Sequence, residues 1–170
     1  MSARNTLDSY GSVAKFFHWL IAALVIIMLL IGLSFEFIDY KPLKGVLMEI
    51  HKSTGLTILF LFLLRLCWRL INPTPRLPAS VPSWQKMAAR TSHFFLYLVV
   101  ICMATSGWVM STAAGYPPEF WWLFHISAPW VVKSKAIAEA AETTHLILAW
   151  TVTGFLVLHV LGALKHHLID

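Results

Sequence analysis

Residues 143–164 read TTHLILAWTVTGFLVLHVLGAL, an unbroken apolar run with two histidines, His145 and His159, 14 residues apart. On an α-helix that separation is just under four turns, so both imidazoles leave one face about 21 Å apart along the axis. The hydrocarbon core of a bilayer is about 30 Å thick, so a spanning helix of this kind directs one imidazole toward each leaflet. That spacing suits two stacked redox centres. Two further histidines, His18 and His51, lie near the ends of other apolar runs, where each can face one of the pair across a bundle.

The rest of the chain supports a membrane setting. Of its 170 residues 58% are hydrophobic and 12% charged, and the mean hydropathy is +0.72, outside the range of soluble globular domains. Four runs are long enough to span, at about 16–35, 46–71, 91–113 and 143–164. The expectation is an all-α protein, an integral membrane four-helix bundle running up-down-up-down, with residues 1–170 as one domain.

Positively charged segments are retained in the cytoplasm. With both termini cytoplasmic, the inner set is Arg4, Lys15, Arg65, Arg69, Arg76, Lys86, Arg90 and Lys165, and the outer set is Lys41, Lys44, Lys52, Lys133 and Lys135. Every Arg then falls inside, while the acidic residues concentrate outside and leave that face slightly negative. The basic balance thus reflects membrane topology, and no nucleic acid is expected as a partner. The first run is too long for a secretory signal, lacks a small-residue cleavage site and carries His18, so it is read as retained. Cys67 and Cys102 fall within spans outside any C-x-x-C-H sequence, which excludes covalent haem attachment; both are expected as buried apolar thiols.

Two connections stand out. Pro73, Pro75, Pro78 and Pro82 make a stiff link between the second and third helices. The segment 114–142 holds Tyr116, Trp121, Trp122, Phe124 and Trp130, rings that favour the headgroup layer. It is expected to fold over the outer mouth of the bundle, as a lid or an interfacial anchor, with a short helix near 134–141.

Haem iron in an electron-transfer protein takes an axial ligand from each side of the ring, so two haems need four histidines at two depths. The alternating topology sorts them: His18 with His159 at the cytoplasmic depth, His51 with His145 at the outer depth. A lone intramembrane histidine is often a helix-to-helix hydrogen bond, but pairs at matched depths point to ligation. His93 is a third candidate on the cytoplasmic side, better suited to a hydrogen bond with a propionate or a quinone. His125, His166 and His167 are assigned surface roles. Gly55, Gly107 and Gly154 offer room for a macrocycle, and Arg65 and Arg69 lie where cytoplasmic propionates would be. No P-loop, dinucleotide fingerprint or nucleophile elbow is present.

With these residues in view, the chain resembles the bacterial cytochrome b561 family. The matching segments are Tyr10-Gly11 with His18-Trp19, His51-Lys52-Ser53-Thr54-Gly55, Arg65-Leu66-Cys67-Trp68-Arg69 with Pro73, His93, Gly107, His145, and His159 with Ala163-Leu164-Lys165-His166-His167. The resemblance implies two haem b groups bound by His18, His51, His145 and His159 in the bacterial inner membrane, and ubiquinone as electron acceptor. One branch of the family is a superoxide oxidase passing electrons from periplasmic superoxide to ubiquinone, which is the activity implied if the chain is an enzyme. Other similar proteins are haem b membrane-anchor and electron-transfer subunits of dehydrogenases or hydrogenases, for which a redox partner protein is implied. Lys52, beside His51, with Lys133 and Lys135, is the expected source of a positive outer mouth for an anionic donor.

Overall fold

The computed structural model describes residues 2–76 and 81–168, with the side chains of 166–168 left aside. Four helices, α1 (Ser12–Ser34), α2 (Lys41–Ile71), α3 (Ser83–Ala113) and α4 (Lys135–Leu168), form the bundle, and a small antiparallel hairpin, β1 (Glu119–Phe120) with β2 (Phe124–His125), lies between α3 and α4. All four helices are long and apolar enough to cross a membrane.

Local chemistry sets the ends. Pro42 sits in the first turn of α2, where its missing N–H costs nothing. Asn72 turns extended before Pro73, and its amide donates to the Trp68 carbonyl at 3.0 Å, closing the last turn of α2. Gly115, at φ +86°, ends α3: its N–H donates to the Thr112 carbonyl and the Tyr116 N–H to the Ser111 carbonyl, the paired bonds of a left-handed cap. Ser134 caps α4, its hydroxyl oxygen accepting from the Ile137 N–H at 3.4 Å.

Helices α2, α3 and α4 therefore begin five to eight residues before the apolar runs that announce them, because a helix persists wherever its backbone bonds are satisfied, inside lipid or beyond it. The separate helix expected near 134–141 is instead the first two turns of α4. Cys67 and Cys102 lie exposed on the helix surfaces rather than buried, which in a membrane bundle means facing lipid.

Close backbone packing joins α3 to α4, α1 to α2 and α2 to α3. The buried core is one layer at mid-bundle: Ile21 and Met28 from α1, Ile58 and Phe62 from α2, Val99 and Val100 from α3, Val152 from α4. Val152 is midway between His145 and His159, so this layer separates two tiers of imidazoles. One tier lies toward the end that carries the termini, the other toward the end that carries the hairpin.

The N-terminal segment closes the first of these ends. Asn5 donates to the Pro73 carbonyl at 3.0 Å and accepts from the Gly11 N–H at 3.0 Å, while the Arg76 N–H donates to the Leu7 carbonyl at 2.8 Å. Gly11 rests on the Ala3–Arg4 backbone, where a side chain would have no room.

At the opposite end the hairpin is clasped to α2. Ser53 Oγ donates to the Glu119 carbonyl and accepts from the Trp121 N–H, both at 3.0 Å, and the Trp121 indole N–H donates to Thr57 Oγ1 at 3.1 Å. Trp121 and Trp122 adopt φ of 49° and 60°, a left-handed conformation that costs an ordinary residue roughly 1–2 kcal/mol. The clasp supplies the compensating bonds.

Candidate functional site

In the hairpin-side tier, His51 of α2 faces His145 of α4 with ring centroids 6.2 Å apart and planes at 73°. His145 has a built seat. Its Nδ1 lies 3.0 Å from the Met103 carbonyl and 3.1 Å from Ser106 Oγ, while the Ser106 hydroxyl itself donates to the Met103 carbonyl at 2.8 Å. Both α3 groups accept, so Nδ1 carries the proton and the lone pair remains on Nε2, the arrangement of a metal-binding imidazole with its orienting partner. Gly107 completes the seat, since a Cβ there would come within 3.0 Å of His145 Cε1. The His51 Nδ1 is buried without a hydrogen-bond partner.

In the terminal-side tier, His18 of α1 faces His159 of α4 with centroids 6.3 Å apart and planes at 86°. His93 of α3 also approaches His159, at 5.5 Å. Arg65 Nη1 lies 3.2 Å from His18 Nδ1, and because a guanidinium only donates, that nitrogen is the acceptor. The guanidiniums of Arg65 and Arg69 also lie 5.8 and 5.5 Å from the centre of the Tyr97 ring. A cavity of about 380 Å³ opens here, lined by Tyr10, His18, Arg65, Trp68, His93 and His159 among others. The Trp68 indole N–H on its wall is buried and has no acceptor.

What these tiers can hold follows from distances. A ligating imidazole nitrogen lies about 2 Å from its metal, so two rings on opposite sides of one ion have centroids about 6 Å apart. Both His51 with His145 and His18 with His159 meet that separation; His93 with His159 is tighter. Among the described residues no group of three or more His, Cys, Asp or Glu could enclose a metal by itself. Each tier thus offers a facing pair of imidazole nitrogens, and a metal held there would take its other ligands from a bound group.

Several expectations change. Gly107 makes room for the His145 ring, Gly55 faces the Met28 methyl across the α1–α2 contact, and Gly154 has open space on the side of α4 away from His145 and His159, so none of the three opens directly onto a macrocycle. Lys52 is paired with Glu49 at 2.7 Å and reaches the Tyr116 carbonyl at 3.4 Å, so the charge beside His51 is largely offset rather than free. His125 is not a bare surface group. It sits opposite Glu119 in the hairpin, and the two line a polar pocket of about 270 Å³ together with Glu49, Lys52 and Tyr116. Ser106 and the Met103 carbonyl went unrecognised in the sequence; a small Ser-Gly pair midway along an apolar helix is the signal that marks their turn.

The sequence pattern described as prokaryotic cytochrome b561 matches residues 9–170. A curated relative, cytochrome b561 homolog 2 of Escherichia coli (strain K12), is 36% identical over 171 residues, covering 100% of this chain and 90% of the relative. Another, the probable superoxide oxidase CybB of Yersinia pestis, is 28% identical over 155 residues, covering 89% of this chain and 85% of the relative.

Proposed function

This chain belongs to the prokaryotic cytochrome b561 family, whose work is haem b electron transfer in the bacterial inner membrane, and from that premise we propose that it binds two haems and moves electrons from a periplasmic donor, superoxide, to ubiquinone. The observation that carries the reading is the pair of imidazole tiers, 14 residues apart on α4 and each with centroids 6.2 or 6.3 Å apart.

The residues present fit haem. Among the described residues no extensive close-backbone packing joins α4 to α1 or α2, and across these wider helix separations the imidazoles of each pair face one another, which is where a macrocycle would be held. The orphaned ring nitrogen of His51 is a buried polar atom on the face that such a group would occupy. On the terminal side, Arg65, Arg69 and the unaccepted Trp68 N–H form a set of donors suited to propionate carboxylates.

Held by His18 with His159 and by His51 with His145, haem would supply reversible one-electron chemistry at iron. The chain provides position and environment. Met103 and Ser106 hold His145 with Nε2 free to ligate. Arg65 must release His18 Nδ1 before that ring can present a deprotonated Nε2, and a carboxylate in the same cavity is its natural new partner. His93 is left as a hydrogen-bond donor to a propionate or to the quinone. The Ile58, Phe62, Val100 and Val152 layer keeps water from the space between the tiers.

The charge distribution supports both termini lying in the cytoplasm, with the hairpin periplasmic. Reporter fusions between residues 72 and 83 and near residue 130 should report opposite sides, cytoplasmic and periplasmic respectively. A second reading, a membrane electron-transfer subunit for a partner dehydrogenase or hydrogenase, draws support from the offset charge of Lys52. Stopped-flow mixing of oxidised protein with superoxide separates the two: fast, salt-sensitive haem reduction upholds the oxidase, whereas sluggish reduction indifferent to salt favours the subunit.

A further inference from the structure

The hairpin lies deeper than a surface loop. On α2, His51 belongs to one imidazole tier and Arg65, bonded to His18, to the other, 14 residues away. Residue 58 is therefore midway between the tiers. The charge-free run of α1, residues 16–35, puts His18 about seven residues from its own centre, so the tiers straddle the bilayer centre evenly. At 1.5 Å per residue, Ser53 is about 7.5 Å from the centre of a hydrocarbon layer whose half-thickness is about 15 Å. Trp121 is tied to Ser53 by its N–H and to Thr57, deeper still, by its indole.

The hairpin also has two unlike sides. Its tip, Trp121, Trp122, Leu123 and Phe124, is aromatic or aliphatic and exposed, Leu123 at 74%. The tip N–H groups are paired: Trp121 N–H with Ser53, Trp122 N–H with the Glu119 carbonyl at 3.5 Å and Leu123 N–H with the Phe120 carbonyl at 3.0 Å. Non-helical backbone at membrane depth has to lie against protein or line a water-filled cavity, and this hairpin has α2 on one side and the polar pocket beside its ladder. Its ladder pair, Glu119 and His125, instead lines the polar pocket with Glu49, Lys52 and Tyr116, where Glu49 Oε2 is buried without a partner. A carboxylate oxygen in that state calls for water or a hydrogen-bond donor.

We propose that the hairpin is a re-entrant element, its Trp121–Phe124 tip embedded in the acyl region of the leaflet on that side, and that its polar side walls an aqueous vestibule descending to the α2 turn that bears His51. The reductant reaching His51 by this route is a small polar solute drawn from water. The pocket has room for several waters but not for a quinone with its tail or a partner protein's cofactor. The assignment of donor class rests on electrons arriving at the His51 tier; the vestibule and the buried tip do not.

Thiol labelling tests the geometry directly. In a Cys67→Ala, Cys102→Ala background, single cysteines are introduced as Glu119→Cys and Leu123→Cys, the protein is placed in phospholipid nanodiscs, and reaction with a charged methanethiosulfonate is timed. The thiolate attacks the sulfur of such a reagent and displaces methanesulfinate, and thiolates form in water and not in hydrocarbon. Glu119→Cys should react at least tenfold faster than Leu123→Cys, although Leu123 is far more exposed on the bare chain. Adding Ser53→Ala to Leu123→Cys should release the clasp and speed its labelling several-fold. His125→Cys is the second probe of the pocket should Glu119→Cys fail to assemble with an unchanged haem spectrum. Leu123→Cys reacting as fast as the pocket cysteine would overturn the embedded tip, and inert pocket cysteines would overturn the vestibule. Because labelling needs no electron donor, its failure leaves the superoxide reading standing, and loss of the superoxide reaction leaves the labelling pattern intact.

Discussion

Replacing Gly107 by Ala should strip the hairpin-side haem while sparing the other. An added Cβ would lie 3.0 Å from His145 Cε1 and 3.2 Å from Nδ1, tighter than most packed contacts, so the ring would have to give by a few tenths of an ångström. The offending atoms belong to the ring itself, so the methyl cannot be accommodated by moving the end of a flexible chain. Either the imidazole tilts away, losing its contacts of 3.0 Å to the Met103 carbonyl and 3.1 Å to Ser106, or α3 and α4 separate along their most extensive packing surface. Overpacking of this kind costs about 1–3 kcal/mol. If that falls on the bound state, affinity at this tier drops roughly 5- to 150-fold. The assay is haem loss to excess apomyoglobin, followed by absorbance, with haem content per chain fixed by pyridine haemochrome. Gly107→Ala should show one haem leaving at least fivefold faster than in the wild type and one unchanged. Gly45→Ala, at a helical glycine with nothing within 4 Å, is the control and should behave as wild type. Retention of both haems by Gly107→Ala at the wild-type rate would refute the argument that this glycine seats a ligand.

Other outcomes follow from the same geometry. His93→Ala should retain both haems, since its 5.5 Å approach to His159 is too short to bracket an iron; haemochrome assay of the purified variant checks this, and loss of a haem would transfer the ligand role from His18. Ser106→Ala should leave His145 held by one acceptor rather than two and alter the low-spin electron paramagnetic resonance signal of one haem only, with Ser106→Thr restoring it. For an anionic donor, Lys52→Gln exposes the charge of Glu49 and should slow haem reduction by superoxide, Glu49→Gln should speed it, and the double variant should return near the wild-type rate, because the pair at 2.7 Å is removed without net change. Equal rates in all four proteins would show that the donor does not pass this pair.

The four spans and the two tiers were legible in the sequence for one reason: lipid imposes its thickness on composition, and the His145–His159 spacing fixes two depths on a rigid rod. Helix ends were less so. Hydropathy registers where hydrocarbon stops, whereas α2 runs on to Lys41 and α3 back to Ser83 because Pro42 and Pro82 set their starts. The contacts that seat His145 and clasp the hairpin left almost no trace. Ser106 meets His145 across 39 positions, and Ser53 meets Trp121 across 68, and nothing in either local stretch records the partner. Charge was misread for a related reason: Lys52 counts as a free cation along the chain, yet Glu49 is one turn earlier on the same helix face and neutralises it. The hairpin, with two tryptophans in a conformation that local preference resists, was invisible because tertiary bonds to α2 impose it.

The central claim is that each imidazole pair brackets one haem iron. The most direct measurement is haem content, with the ferric low-spin signal, of purified protein and four single variants. The wild type should carry two six-coordinate low-spin b haems per chain, His51→Ala and His145→Ala should both lose the same one, and His18→Ala and His159→Ala should both lose the other. One haem per chain in the wild type, or variants of a single pair losing different haems, would contradict it.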